Sequence, residues 1–411
     1  MRPQHRAARG VLPQLIGGKY VYLLLVACAI CVCGLVFEVS QLSTAFVAEP
    51  SKITHHEAAV PMGQPVAQIN HKIAVVLTNY RDTEQCTATL QSLYERAEAP
   101  HGLHLFLFEE INAAGDVGNP NDASCLETFC AKNPKTCSDH RGRMQRKFRH
   151  ASDHAGPSPA RRFAEEMIPA SFYASPADTF YLSIDSRLQF EERWDTTLLS
   201  EWRRAQNPNG ILTIDPPSSR TRHWPVDHTQ SAVMCTARIW SKQRALAAVD
   251  FNPPVLVKPP FTAPRLMAQY SEAFHFGPIH ALSAAPSDPQ LLFAWHGVAY
   301  GRATRWWTRG YDFYAPGTTA VYAHYVPRLL HPLQTPQWHA PSPDPLAPAK
   351  HQQRSSYARL QSPLLEGVFG LGTKRSLAQW TAFSHIYPTA SYDESTDKQF
   401  MNCNPLVYVP T

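Results

Sequence analysis

Acidic residues are missing from the start of this chain: none precedes Glu38, whereas Arg2, Arg6, Arg9 and Lys19 all fall in that stretch. The Asn-x-Ser/Thr signal is also missing, so no N-linked glycan can report which side of a membrane a segment occupies. Charged residues make up only 17%, and a net charge of +5 over 411 residues is too mild to indicate a nucleic-acid partner. No basic stripe with interleaved aromatics points to one either. Between Pro289 and Tyr311 there is no Asp or Glu at all. A disordered chain is excluded by the modest charge, and the 36 prolines indicate long ordered loops instead.

The uncharged run Tyr20–Phe37, rich in Leu, Val, Ala and Cys, is just long enough to cross a bilayer. A cleaved signal peptide is the rival reading, but no small-x-small site closes the run before Glu38. The basic flank predicts residues 1–19 on the cytoplasmic side and everything after Glu38 in the lumen, a single-pass type II arrangement. Cys28, Cys31 and Cys33 lie in the run as small apolar residues, with palmitoylation as an alternative. The other six, Cys86, Cys125, Cys130, Cys137, Cys235 and Cys403, suit disulfides in an oxidising compartment, their pairing left open. Zinc held by Cys125, Cys130, Cys137 and His140 is the alternative, although the spacing fits none of the usual ligand patterns.

Residues 38–71 lack periodicity and read as a stem, residues 72–390 as one α/β domain, and residues 391–411 as a tail. Ile73–Leu77 is a continuous apolar run, as in a strand buried on both faces. A helix follows with Asp82 or Thr83 as N-cap and Cys86, Leu90, Leu93 and Ala97 on its apolar face. Leu103–Phe108 reads as the second strand, completing the opening of a nucleotide-binding sheet. The basic run from Lys135 to His150 reads as a solvated loop. Ser158 and Pro159 mark a helix start, with Arg162 in reach of Glu165 or Glu166. Thr179–Ile184 is a strand that ends in Asp185, with a helix over 195–205 after it. Gly210–Ile214 is another strand, ending again in an acid, Asp215. Ligands of such sheets bind outside the carboxyl ends of the strands, so Asp185, Ser186 and Arg187 are site candidates.

Four collinear stretches resemble one family. They are NYRD (Asn79–Asp82), GPSPAR (Gly156–Arg161), the segment from Ile184 through Phe190 to Trp194 and Asp195, and RWWTRGYDF (Arg305–Phe313) ahead of YAHYVPR (Tyr322–Arg328). The chain is similar to the polypeptide N-acetylglucosaminyltransferases, nucleotide-sugar transferases of the GT-A fold, a Rossmann-like mixed α/β sheet flanked by helices. The resemblance implies a Golgi enzyme that moves GlcNAc from UDP-GlcNAc to a protein hydroxyl, of Thr or Ser in mucin-like acceptors or of hydroxyproline. It implies donor contacts from Tyr80, Arg81, Asp82, Arg161, Asp185, Ser186, Arg187 and Arg305. A divalent cation such as Mn2+ would be held by Asp185 and His324.

Two departures qualify what it implies. Arg187 stands where the family has His, and a guanidinium has no lone pair for a metal. The family's Gly-Glu-Glu-like motif aligns with Gly297-Val-Ala299, leaving His296 and Asp312 as the nearest polar candidates for catalysis. Either fixed guanidinium charge takes over part of the metal's task, or the chain is a non-catalytic relative that binds a sugar or a protein.

Overall fold

The computed structural model describes residues 71–112, 122–218, 230–239, 248–324, 348–360, 362, 365–388 and 400–411. The expected cytoplasmic tail, membrane anchor and stem up to residue 70 lie outside the described residues, as do Tyr325, Arg328 and most of the proline-rich stretch after them. Among the described residues, no helix is long and apolar enough to cross a membrane.

Eight strands form one mixed sheet: β1 (Lys72–Tyr80), β2 (Leu103–Ile111), β3 (Met144–His150), β4 (Thr179–Ile184), β5 (Gly210–Thr213), β6 (Arg265–Met267), β7 (Phe274–Pro278) and β8 (Asp312–Ala315). Their spatial order is β6-β8-β5-β7-β4-β1-β2-β3. The pairings make β1, β2, β3, β4, β5 and β8 parallel, while β7 runs against β4 and β5, and β6 against β8. The start of β7 therefore lies beside the ends of β4 and β5, with Phe274 opposite Ile184.

Strand alternation explains the layers. On β1, Ile73, Val75 and Leu77 pack on one face with Leu90 and Leu93 of α1 (Thr83–Glu95), Phe129 of α2 (Cys125–Lys132) and Leu198 of α4 (Trp194–Arg204). Ala74 and Val76 face the other way, toward Ala160 and Ala164 of α3 (Pro157–Glu165), Trp306 and Trp307 of α5 (Val298–Thr308), and Trp380 of α7 (Leu377–Ser384). Helix α6 (Pro348–Leu360) adds Leu360 against Val298 at the start of α5. A strand covered on both sides has to be apolar throughout, which is why β1 reads as a continuous run.

Several boundaries move. Helix α3 begins at Pro157, because Gly156 adopts φ 109° and takes the N-cap position expected of Ser158. Arg162 does bond Glu166 at 2.8 Å, one helical turn on. The basic run is the larger correction: it contains a short helix, Pro134–His140, and the edge strand β3. Arg146 and Arg149 of β3 pair with Glu109 and Glu110 of β2, both buried. Charged residues belong on an edge strand, where they face solvent and oppose edge-to-edge association.

All six cysteines expected in the lumen are paired: Cys86 with Cys125, Cys130 with Cys137, and Cys235 with Cys403. The zinc alternative is thereby removed, since three of its four ligands are oxidised. The first bridge ties α1 to α2 and so braces the loop at the end of β1.

Candidate active site at the strand tips

Two carboxylates, Asp185 and Asp215, meet where β4, β5 and β7 come together. Asp185 follows the last residue of β4, and its amide donates to the carbonyl of Ala273 at 3.0 Å. Asp215 lies two residues past the last residue of β5, and Ser271 Oγ reaches its Oδ1 at 3.5 Å. Glu272 lies between those two anchoring residues in the loop that enters β7. Burial raises the Asp215 carboxyl to about 6, the neighbouring charge of Asp185 adds to the rise, and the Ser271 hydroxyl partly offsets it. Among the described residues, no three His, Cys, Asp or Glu side chains are grouped to hold a metal ion.

The loop after β1 is held by ion pairs. Arg81 sits at φ 48° and its Nε donates to Asp122 at 2.8 Å. Asp82, only 3% exposed, accepts from Arg187 Nε at 2.6 Å, which joins this loop to the one after β4. Tyr80 stacks at a tilt on His154, ring centroids 4.4 Å apart. His154 in turn bonds Glu110 at 2.6 Å. Ser186 is buried, and its carbonyl accepts from Thr89 at 2.9 Å.

His324 joins the same corner through a short ribbon. Val321–Ala323 pairs antiparallel with Leu188–Phe190, and the amide of His324 donates to the carbonyl of Arg187 at 2.7 Å. Its backbone is thus tied two residues from Asp185, although the two are far apart in sequence.

A sequence model described as "Glycosyltransferase (GlcNAc)" matches residues 121–390, well over half of the chain. The chain belongs to this glycosyltransferase family. Solved structures with which it shares similarity include GalNAc-T7 with UDP, GalNAc and Mn2+ (10% identity, TM-score 0.44), covering 71% of this chain and 48% of that one. The chain thus spans about half the length of that structure. Another is the mannosyltransferase PcManGT of Pyrobaculum calidifontis with GDP-Man and Mn2+ (12%, 0.37), with 72% and 71% covered. A third is residues 1–349 of S. aureus TarS (11%, 0.35), with 62% and 60% covered. No curated protein matches the sequence.

In this glycosyltransferase, two site expectations are corrected by placement. Asp312 opens β8 opposite Gly210, the first residue of β5, and so lies at the far end of the sheet from Asp215. It is 1% exposed and bonded to Arg375 at 2.7 and 3.1 Å and to Asn207 at 2.9 Å, which makes it a structural ion pair. Arg305 lies in the last turn of α5, which feeds that same far end. It donates to the carbonyls of Pro286 and Val368, and burial, then Arg302, lower it to about 10. Trp306 and Trp307 are core residues on α5. Trp194 and Asp195 also serve the fold: Asp195 accepts from the amides of Glu98 and Ala99 at 2.9 and 2.8 Å.

His296 is placed at the other end of α5. That helix starts at Val298, and a helix leading into a parallel strand starts at the strand-tip edge. His296 Nδ1 bonds Asp250, whose other oxygen accepts from the amide of Gly297 at 2.9 Å. Asp250 went unrecognised in the sequence because it is 46 residues away; Asp215 was visible as an acid after a strand, but only the insertion of β7 shows that it faces Asp185.

Proposed function

We propose that this glycosyltransferase has the GT-A fold and transfers GlcNAc from UDP-GlcNAc to a Thr, Ser or hydroxyproline hydroxyl of a protein acceptor, in the Golgi lumen behind a type II anchor. The observation that carries this reading is the convergence of Asp185 and Asp215 at the strand tips, with His324 tied to the loop after Asp185. The three disulfides support an oxidising lumen.

Oxygen donors suit a divalent cation such as Mn2+, and the raised Asp215 carboxyl is what an uncompensated acid pair gives. Among the described residues no three His, Cys, Asp or Glu side chains are grouped to hold a metal ion, so Asp185 and Asp215 would hold it as a pair, and it would supply the positive charge that the leaving diphosphate needs. Arg187 is a poor substitute for it, because its Nε is committed to Asp82. Tyr80 and Arg81 line the base and ribose end of the donor. A carboxylate can only accept, so Asp250 fixes the proton of His296 on Nδ1 and puts the ring's lone pair on Nε2. That nitrogen takes the proton of the acceptor hydroxyl.

Full-length protein in detergent is expected to release UDP from UDP-GlcNAc with Thr-rich peptides in Mn2+, to stop with chelator and to resume when Mn2+ returns. Release that persists under chelation would overturn the cation reading. Bound UDP with no release under any condition would identify a non-catalytic relative. His296→Gln is expected to lower kcat by about 100-fold or more without altering the unfolding midpoint; an unchanged kcat would remove His296 from the reaction.

A further inference from the structure

Behind the strand tips lies a cluster of buried charges that the reading above leaves partly unused. Arg302 of α5 donates to Glu165 at 2.7 Å and to Ser287 Oγ at 2.9 Å, and approaches Glu272 at 3.4 Å. Arg161 of α3, its side chain 8% exposed, approaches the same Glu272 oxygen at 3.5 Å. Both arginines thus crowd Oε2 of Glu272. Among the described residues, neither Oε1 of Glu272 nor Nε of Arg161 has a hydrogen-bond partner. An unmet buried acceptor and an unmet buried donor, on side chains that touch each other, are costly unless water or a ligand hydroxyl completes them.

Charge states what kind of ligand that is. Around the two unmet atoms the guanidinium groups of Arg302 and Arg161 and the carboxylates of Glu165 and Glu272 cancel, the nearby Arg305 is turned to the carbonyls of Pro286 and Val368, and His275 is kept neutral by burial and by Arg302 and Arg161. A cation would meet the two arginines and an anion the two acids, so the cluster accepts a neutral group that donates and accepts at once. A sugar hydroxyl is such a group. Glu272 also lies in the loop between the residues that anchor Asp185 and Asp215, beside the site where the donor diphosphate would be held.

We infer that Glu272 and Arg161 form the subsite for a ring hydroxyl of the donor hexose: the hydroxyl donates to Glu272 Oε1 and accepts from Arg161 Nε. This rests on the nucleotide-sugar reading proposed above and adds the carboxylate that the acid-free stretch between Pro289 and Tyr311 does not provide. Glu272 reaches the sugar from the loop before β7 instead.

Calorimetric titration of the full-length protein with UDP and with UDP-GlcNAc, in Mn2+, tests this. In the wild type the sugar is expected to tighten binding over UDP alone, and Glu272→Gln is expected to lose about tenfold in affinity for UDP-GlcNAc while keeping its affinity for UDP. Glu272→Asp, which keeps the charge beside both arginines but withdraws the carboxylate, is expected to show the same selective loss and guards against a folding defect in the Gln variant. Equal affinity for UDP-GlcNAc in wild type and both variants, or equal losses for UDP and UDP-GlcNAc, would overturn the subsite and leave the transferase reading standing. A wild type that binds neither compound would overturn both.

Discussion

Asp215→Asn is expected to make the folded protein more stable at neutral pH while lowering UDP release by about 100-fold or more. The folded carboxyl titrates at about 6, above the 3.8 of an unperturbed Asp, because burial and then the charge of Asp185 disfavour ionisation. Folding therefore prefers the protonated form. Below the unfolded value both states are protonated and the group costs nothing; as pH rises through about 6 the folded state has to carry a charge it resists, and that advantage is lost. Asn removes the penalty, for a gain of about 1–3 kcal/mol at pH 7.5 that shrinks toward zero near pH 4. Urea unfolding without divalent cations at the two pH values measures it. A gain of the same size at both would disprove the charge argument. Added Mn2+ is expected to stabilise the wild type and to have little effect on the variant, since the ion removes the same repulsion.

Breaking the pair between Asp312 and Arg375 is expected to have the largest effect on folding. Both side chains are at most 1% exposed, and Arg375 also lies over the face of Trp307 at 4.6 Å from its ring centre. Removing one partner leaves an uncompensated charge in the core beneath α5 and α7, a loss of about 3–5 kcal/mol. Asp312→Ala and Arg375→Ala should each lower the denaturant midpoint strongly. Replacing both with apolar residues should cost much less than either alone. Any folded Asp312→Asn protein is expected to keep its kcat, because the side chain lies at the end of the sheet remote from the strand tips. A folded Asp312→Asn with kcat reduced a hundredfold would return this residue to the reaction.

Asp312 illustrates why a motif and a site are different things. Within RWWTRGYDF the sequence shows an acid next to a turn, and an acid next to a turn is a reasonable catalytic candidate. Strand direction decides otherwise: Asp312 begins a parallel strand, whereas Asp185 and Asp215 follow the ends of theirs. Arg187 was legible as a cation that cannot bind metal, but its partner Asp82 is 105 residues away and only the meeting of two loops reveals the pair. His296 carried no sign of its Asp250 partner, and Glu272 no sign of any role, because both depend on where α5 and the antiparallel β7 lie relative to the parallel strands.

From the sequence alone came the elements whose pattern is local: the apolar runs of β1, β2, β4 and β5, the apolar face of α1, an α/β domain of glycosyltransferase type, and Asp185 at a strand tip. Burial on both faces of a sheet demands continuous apolar residues, and that demand is written in adjacent positions. Tertiary structure decided what depends on partners distant in the chain. The polar run Met144–His150 became a strand because buried Glu109 and Glu110 on β2 need Arg146 and Arg149 beside them. Asp215 joined Asp185 because a single strand, β7, enters the sheet in the opposite direction and brings its first loop, with Glu272, to the edge where the parallel strands end. Charge pairing and strand direction act across the sheet, and neither leaves a period in the sequence.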